Sequence, residues 1–121
     1  MSAYLRPALE MPAIYLYRDP VDFRKSFRGL AAIVEQELGH NLFGVALYAF
    51  TNRRRNKIKC LYWEDNGFVL YYKSLAEERF RWPRPDEAVM PLTGQQINWL
   101  LDGYDISLMQ GHKKLYYEAS F

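Results

Sequence analysis

The feature that most constrains the fold is a hairpin signal in the middle of the chain. The dipeptide Asn66-Gly67 stands between two runs rich in β-branched and aromatic residues, Lys57–Glu64 and Phe68–Lys73. Asn-Gly between such runs is the strongest short-range signal for a tight turn joining two antiparallel strands. The sequence therefore predicts a β-hairpin over these residues.

The turn also sets which side chains lie opposite one another. With Asn66 and Gly67 as the two turn residues, the cross-strand pairs on one face are Trp63 with Leu70 and Leu61 with Tyr72, and those on the other face are Tyr62 with Tyr71 and Cys60 with Lys73. The first face is apolar, so we expect it to form core beneath a helix. The second face carries tyrosines and a cation, which is typical of a half-exposed surface.

A strand and a helix are predicted before this hairpin. The segment Ala13–Tyr17 has the composition of a short strand. Asp19 and Pro20 follow it and are typical of a helix cap and a first helical position, and Gly39 is a suitable helix end. Between them, apolar residues recur at helical spacing and predict one buried stripe; these are Phe23, Phe27, Leu30, Val34 and Leu38.

The remaining elements complete the predicted fold. Val45–Phe50 is expected to pair with the hairpin, and Arg79–Pro83 to add a brief fourth strand. A second helix is predicted from Thr93, with Gln96 as its capping-box partner, to the stop at Gly103. The predicted class is α+β: a short strand, a helix, an antiparallel meander of three to four strands and a C-terminal helix.

Length and composition indicate a single domain over all 121 residues, with a core at about 11–104 and a tail of uncertain order at 105–121. The one cysteine, Cys60, excludes an internal disulfide and a multi-cysteine zinc site. No signal peptide or membrane-spanning run is recognisable, so we expect a cytoplasmic protein without a membrane partner. The formal net charge is only +2, so any attraction to nucleic acid must come from local clustering.

Such a cluster occurs in the predicted turn "NRRRNKIK", residues 52–59, where five of the eight residues are cationic. Arg53, Arg54, Arg55, Lys57 and Lys59 are expected at the tip and flank of a protruding hairpin. The planar guanidinium fork of arginine suits phosphate oxygens, and five phosphate contacts would give a log–log salt slope of about −4. The alternative is a turn that is charged only for solubility.

Three further groups of residues leave two interpretations open. Arg24 and Lys25 are predicted on the exposed side of the first helix, as a second phosphate contact or simply as a solvated face. Tyr62 and Tyr71 are suited to stacking on unpaired bases, but tyrosines in such positions more often lie beneath a second helix. Trp63, Phe68 and Tyr72 are predicted to build the core.

Catalytic patterns are not recognisable. His40 and His112 are far apart, and Cys60 lies within a strand, where a small buried hydrophobe is expected rather than a nucleophile. The acidic residues Asp19, Asp22, Glu64 and Asp65 could form a divalent-metal nuclease cluster, but capping and turn roles explain them better. We therefore predict a non-enzymatic protein with no catalytic residue, metal or cofactor.

Four strings in order, "PVDFRKSFRGLAAIV", "NRRRNKIKCLYWEDNGFVLYYKSL", "RFRWP" and "LTGQQINWLLDG", resemble a known bacterial family. This is the accessory protein, product of the second open reading frame and of TnpB type, of the insertion-sequence family numbered sixty-six. The similarity spans roughly residues 11–104. Ser74 departs from the family pattern, because arginine is common at that position and would make the strand more basic.

The resemblance implies a role in transposition beside a separate transposase that carries the DNA-cutting residues. We accordingly expect a non-catalytic accessory protein that contacts DNA, largely without sequence preference, through the basic hairpin tip with help from Arg24 and Lys25. The alternative is an adaptor that docks on the transposase of the same element without binding DNA, with an apolar anchor such as Trp82.

Overall fold

A single five-stranded sheet organises the protein, whose computed structural model describes residues 4–7 and 11–109. In chain order the elements are β1 (Ala13–Tyr17), α1 (Phe27–Ala32) with a π-helical continuation (Ile33–Glu37), β2 (Ala46–Thr51), β3 (Lys57–Glu64), β4 (Gly67–Ser74), β5 (Val89–Leu92) and α2 (Gly94–Leu101). The strands lie in the order β4-β3-β2-β1-β5. The predicted α+β class, the antiparallel meander and the C-terminal helix are confirmed.

The sheet is antiparallel except for one pair. Strands β1 and β2 run parallel, and the chain between them contains α1. Strand β5 pairs antiparallel with β1 at one edge, while β4 forms the other edge beside β3. Because β1 and β2 are parallel, the ends at which they finish, Tyr17 and Thr51, lie on the same side of the sheet.

Both faces of the sheet are covered by apolar side chains. On one face, here called the α1 face, Leu30, Ile33 and Val34 of the first helical segment pack in a cluster with residues such as Phe50 and Leu61. On the other face, here called the α2 face, Ile97, Leu100 and Leu101 of α2 and the loop residues Phe80 and Trp82 pack in a second cluster. The strand residues of this second cluster include Ile14, Leu16, Leu47, Ala49, Ile58 and Cys60. The expectation of a half-exposed surface on the Cys60 side was therefore wrong, and the alternative of a second helix covering Tyr62 and Tyr71 is the one observed.

The predicted start of the first helix was also wrong. The helix begins at Phe27 after the N-cap Ser26, whose hydroxyl accepts the Arg28 backbone N–H. The carbonyl oxygens of Phe23 and Lys25, which a helix would use internally, instead accept hydrogen bonds from the Lys59 ammonium group. This tertiary interaction competes with helix formation. Gly39, at φ 66, lies at the predicted end of the helical segment.

The hairpin between β3 and β4 forms, but its register differs from the prediction. Glu64 pairs with Gly67, so Asp65 and Asn66 are the turn residues, and Asp65 takes the positive φ of 49. In this register Trp63 pairs with Phe68, and their rings meet edge to face at 5.0 Å between centroids. The pairs are displaced by two residues relative to the prediction, and an even displacement leaves every side chain on its predicted face.

One predicted strand is not formed and one observed strand was missed. Arg79–Pro83 is irregular, because Phe80 and Trp82 turn into the cluster on the α2 face while their backbone leaves the edge of β4 unpaired. Strand β5 forms instead and joins β1, although it contains Pro91. The predicted cap of α2 is confirmed, since Thr93 and Gln96 form a reciprocal capping box.

The predicted tail at 105–121 lies mostly outside the described residues. Within the described part, Ile106 is buried in the cluster on the α2 face. None of the described helices is long and apolar enough to cross a membrane.

Candidate nucleic-acid interface

The tip of the β2–β3 hairpin is built by two asparagines. The Asn52 side chain accepts the Lys57 backbone N–H at 3.1 Å and donates to the Asn56 side-chain oxygen at 2.7 Å. Its backbone oxygen accepts the Arg55 N–H at 3.0 Å. These bonds fix a compact loop from which the side chains of Arg53 and Arg54 project into solvent.

The loop that follows β1 lies beside this tip. The Val21 N–H donates to the Thr51 carbonyl at 2.8 Å, which joins the loop to the end of β2. Arg24 leaves the same loop with a side chain that is 91% exposed, and its guanidinium pairs with Asp22 at 2.6 Å. The hydrogen bonds that Asp22 accepts from the side chain and backbone of Arg24 lower the Asp22 pKa to about 2, so the carboxylate stays charged at neutral pH.

The tip and the loop together border a cleft on the α1 face with a volume of about 510 Å³, here called the α1-side cleft. Its cationic lining residues are Arg24, Arg53, Arg54 and Lys57, and its other lining residues are Pro20, Val21, Asp22, Phe23, Asn52 and Tyr72. Among the described residues, Asp22 is the one acidic residue that lines the cleft, and it is already paired with Arg24. Within the described residues, no carboxylate forms an ion pair with the other three cations. The cleft therefore concentrates positive charge that is available to an anionic ligand.

The structure does not bring all seven sequence-predicted residues into this cleft. Arg24, Arg53, Arg54 and Lys57 line it, and Lys25 is exposed on the neighbouring loop without lining it. Arg55 and Lys59 lie elsewhere, each for an identifiable reason.

Arg55 belongs to the opposite side of the tip. Its backbone adopts the left-handed conformation, with φ 58, and its carbonyl accepts the Phe80 N–H at 2.6 Å. This bond ties the tip to the chain segment on the α2 face. The half-buried Arg55 side chain consequently lines a different concave surface from that of Arg53 and Arg54.

Lys59 is 6% exposed and lies in the interior. Its ammonium group donates to the carbonyl oxygens of Phe23, at 2.9 Å, and Lys25, at 3.3 Å. It also lies 4.8 Å from the centroid of the Phe23 ring and 5.3 Å from that of Tyr72, which are cation–π distances. The hydrogen bonds and the rings hold this cation inside the protein, so it supports the wall of the cleft and is not one of its lining residues.

Tyr72 lines the cleft together with Phe23, and the sequence prediction placed Tyr72 wrongly in the core. Its side chain is 50% exposed, whereas Trp63 and Phe68 are half-buried. Tyr62 and Tyr71, the residues considered for base stacking, pack against the cluster on the α2 face. Tyr72 is therefore the hairpin tyrosine that is positioned to meet a ligand in the α1-side cleft.

Three arginines were missed by the sequence analysis. Together with Arg55, these residues line a second concave surface on the α2 face, which encloses a volume of about 1100 Å³; they are Arg79, Arg81 and Arg84. The alternation of exposed arginine with buried aromatic residues in "RFRW" was the available signal. This surface also includes Glu77, Glu78 and Asp105, so its charge is mixed, unlike that of the α1-side cleft.

Groups suited to catalysis are occupied or dispersed in the described part of the chain. The Cys60 thiol is fully buried, and burial raises its pKa to about 12. The His40 Nδ1 lies 2.8 Å from the Tyr48 hydroxyl. Across residues 4–7 and 11–109, no group of three or more His, Cys, Asp or Glu residues could hold a metal ion. The acidic residues weighed as a nuclease cluster thus do not converge there.

Trp82, considered as an apolar anchor for a partner protein, is 7% exposed. Its indole Nε1 donates to the Tyr17 carbonyl at 3.0 Å inside the protein. It therefore contributes to the core and offers no surface for docking.

Comparison with known proteins adds a family. The family model described as "IS66 Orf2 like protein" matches residues 12–111. Two relatives from Sinorhizobium fredii are similar over most of their length. The protein y4jC is 27% identical over 92 residues, covering 76% of this chain and 79% of the relative. The protein y4hO is 26% identical over 99 residues, covering 82% and 86%. Both are described as uncharacterized, and no solved structure matches this chain.

Proposed function

The chain belongs to the IS66 Orf2-like family, and from that premise we propose that this accessory protein of insertion-sequence transposition contacts nucleic acid through its α1-side cleft. Arg24, Arg53, Arg54 and Lys57 are the phosphate-binding residues in this proposal. The observation that carries it is that two segments distant in sequence place four cations around one cleft, where the described part of the chain contributes a single carboxylate that is already paired.

The chemistry of these side chains favours contact with the backbone over sequence reading. Arginine donates to phosphate oxygens through a planar fork, and contacts of this kind position a protein on DNA without identifying bases. Tyr72 at the cleft adds a ring on which an unpaired base could stack. We therefore expect salt-sensitive binding with little preference for sequence.

The test is a titration of duplex DNA with the Arg53→Ala/Arg54→Ala double variant, followed by fluorescence anisotropy at several salt concentrations. Arg55 is left unchanged because its backbone ties the tip to the α2 face. Four phosphate contacts predict a wild-type log–log slope of about −3.6, and the loss of two contacts reduces its magnitude by about 1.8.

The matched control is the Arg28→Ala/Arg84→Ala double variant. It removes the same charge from two exposed arginines that do not line the α1-side cleft. We expect a nearly wild-type slope for the control and weaker binding for the tip variant, both on the ends of the element and on an unrelated duplex. Equal effects of the two double variants would refute a specific role for the cleft.

A second candidate function is docking on the transposase of the same element without DNA contact. A cluster of partly exposed aromatic side chains favours it. Phe43, 58% exposed, meets the Trp63 ring at 5.0 Å, and Trp63 meets Phe68 at the same distance. Capture of the transposase that persists after nuclease treatment and is lost in a Phe43→Ser variant would support this adaptor function. Loss of capture on nuclease treatment would contradict it.

A further inference from the structure

The two edges of the sheet differ in how they are protected against pairing with another strand. The edge strand β5 is short, and Pro91 at its centre lacks a backbone donor. The edge strand β4 is twice as long, at eight residues, and contains no proline. One edge is therefore blunted, while the other retains the features of a strand that accepts a partner.

The outward backbone groups of β4 can be identified from the hairpin register. Glu64 and Gly67 close a two-residue turn, so they form a hydrogen-bonded pair, and such pairs alternate along an antiparallel ladder. It follows that Phe68, Leu70, Tyr72 and Ser74 direct their N–H and C=O groups away from β3. Within the described residues, no other strand pairs with this side of β4.

The side chains of β4 do not guard this edge with charge. Lys73 is the one ionisable cation of the strand, and its ammonium group donates to the Leu101 carbonyl at 2.9 Å, beneath the sheet. Leu70 and Tyr72 are 37% and 50% exposed. A long, apolar edge of this kind is a ready template for β-pairing.

We infer that β4 pairs antiparallel with β4 of a second copy of this chain, with the two-fold axis at Leu70, to form one continuous ten-stranded sheet. The alternation of hydrogen bonds limits the register to those that place outward-facing residues of the two strands opposite one another. Among these registers, the one with the axis at Leu70 places the exposed Leu70 side chains together and joins the two aromatic residues of each outward-facing set. Leu70 then faces Leu70 of the second copy, and Phe68 faces Tyr72.

The strand is complementary to itself in this register. Lys73 lies opposite Gly67, so no two like charges are opposed, and the Phe68–Tyr72 pairs are aromatic cross-strand contacts of a stabilising kind. An isologous contact of this sort closes as a dimer and does not propagate. This self-complementarity is the reason for choosing a second copy over a foreign strand.

Disulfide cross-linking tests the register directly. A Leu70→Cys variant places two thiols across the axis at a Cα separation of about 5.5 Å, which a disulfide can span. A Tyr72→Cys variant places the two thiols roughly 13 Å apart along the strand direction, a distance that a disulfide cannot span. Native Cys60 is fully buried and does not interfere. We expect a covalent dimer from Leu70→Cys and none from Tyr72→Cys; the reverse result, or no cross-link in either, would overturn the inference.

Sedimentation equilibrium supplies a second test, with a Leu70→Lys variant that opposes two like charges at the axis. We expect wild-type protein to form dimers and this variant to dissociate at least about tenfold more readily. Tyr104→Lys is the control, because Tyr104 is 53% exposed and lies outside β4; it should dimerise as the wild type does. Wild-type protein that stays monomeric would refute pairing between copies. This holds even if Leu70→Lys impairs capture of the transposase, because that result would assign the edge of β4 to a different partner.

Discussion

Replacing Lys59 by methionine separates a structural role of this cation from the phosphate-binding role that its sequence context predicts. Methionine keeps most of the apolar stem but removes the ammonium group. The Phe23 and Lys25 carbonyl oxygens then lose the donor that now lies at 2.9 and 3.3 Å, and two aromatic rings lose their cation. The loop that carries Arg24 is consequently less firmly held.

The expected loss of stability follows from opposing contributions. Hydrogen bonds to a charged group contribute about 1.5–3 kcal/mol each, and a partly desolvated cation–π contact adds about 1 kcal/mol. Burying an ammonium group costs several kcal/mol, and methionine avoids that cost. The difference is a destabilisation of about 2 kcal/mol, measured as a lower urea midpoint at unchanged m-value. The control Lys57→Met, at a half-exposed position, should stay within about 0.5 kcal/mol of wild type.

DNA binding by the same variants gives the decisive readout. If Lys59 only supports the cleft wall, the folded Lys59→Met protein binds DNA less tightly with an unchanged salt slope. If it contacts a phosphate, the slope loses about 0.9 in magnitude, which is the result expected for Lys57→Met. A reduced slope for Lys59→Met, or stability equal to that of wild type, would refute the structural role.

Three further predictions concern local structure. Asp65→Gly should stabilise the protein by up to about 1 kcal/mol by relieving the positive φ, whereas Asn66→Gly, where φ is not positive, should not; urea unfolding distinguishes them. Cys60 should resist iodoacetamide at pH 8 until denaturant is added, because burial raises its pKa to about 12; rapid native labelling would contradict this. Thr93→Ala should cost about 1 kcal/mol of unfolding free energy through loss of the α2 cap, and an unchanged urea midpoint would argue against that contribution.

The elements that the sequence predicted well are those determined by neighbouring residues. Ala13–Tyr17 and Lys57–Glu64 match their strands residue for residue, because strand composition and the adjacent turns specify them locally. The reciprocal bonds of the capping box join Thr93 and Gln96, so a stretch of four residues is enough to specify the start of α2. Gly39 and Gly103 mark helix ends because both adopt positive φ there.

The failures have tertiary causes. The first helix begins late because Lys59, more than thirty residues further along the chain, binds carbonyl groups that a helix would use. The hairpin register follows the packing of Trp63 on Phe68 in preference to the Asn-Gly turn. Strand β5 was missed because a segment that contains proline is not predicted as a strand from its composition. It becomes a strand through its pairing with β1.

The position of Arg24 beside the hairpin tip shows how much of the site the sequence contained. The predicted order of strand, helix and strand is the pattern of a parallel pair joined by a crossover, and the carboxyl ends of parallel strands meet on one side of a sheet. Those ends are followed here by the loop with Arg24 and by the tip with Arg53 and Arg54. Their meeting therefore follows from the parallel pairing of β1 with β2, which the sequence analysis did not predict. The burial of Lys59 does not, because it depends on where the Phe23 and Lys25 carbonyl groups point once that loop is packed against β3 and β4.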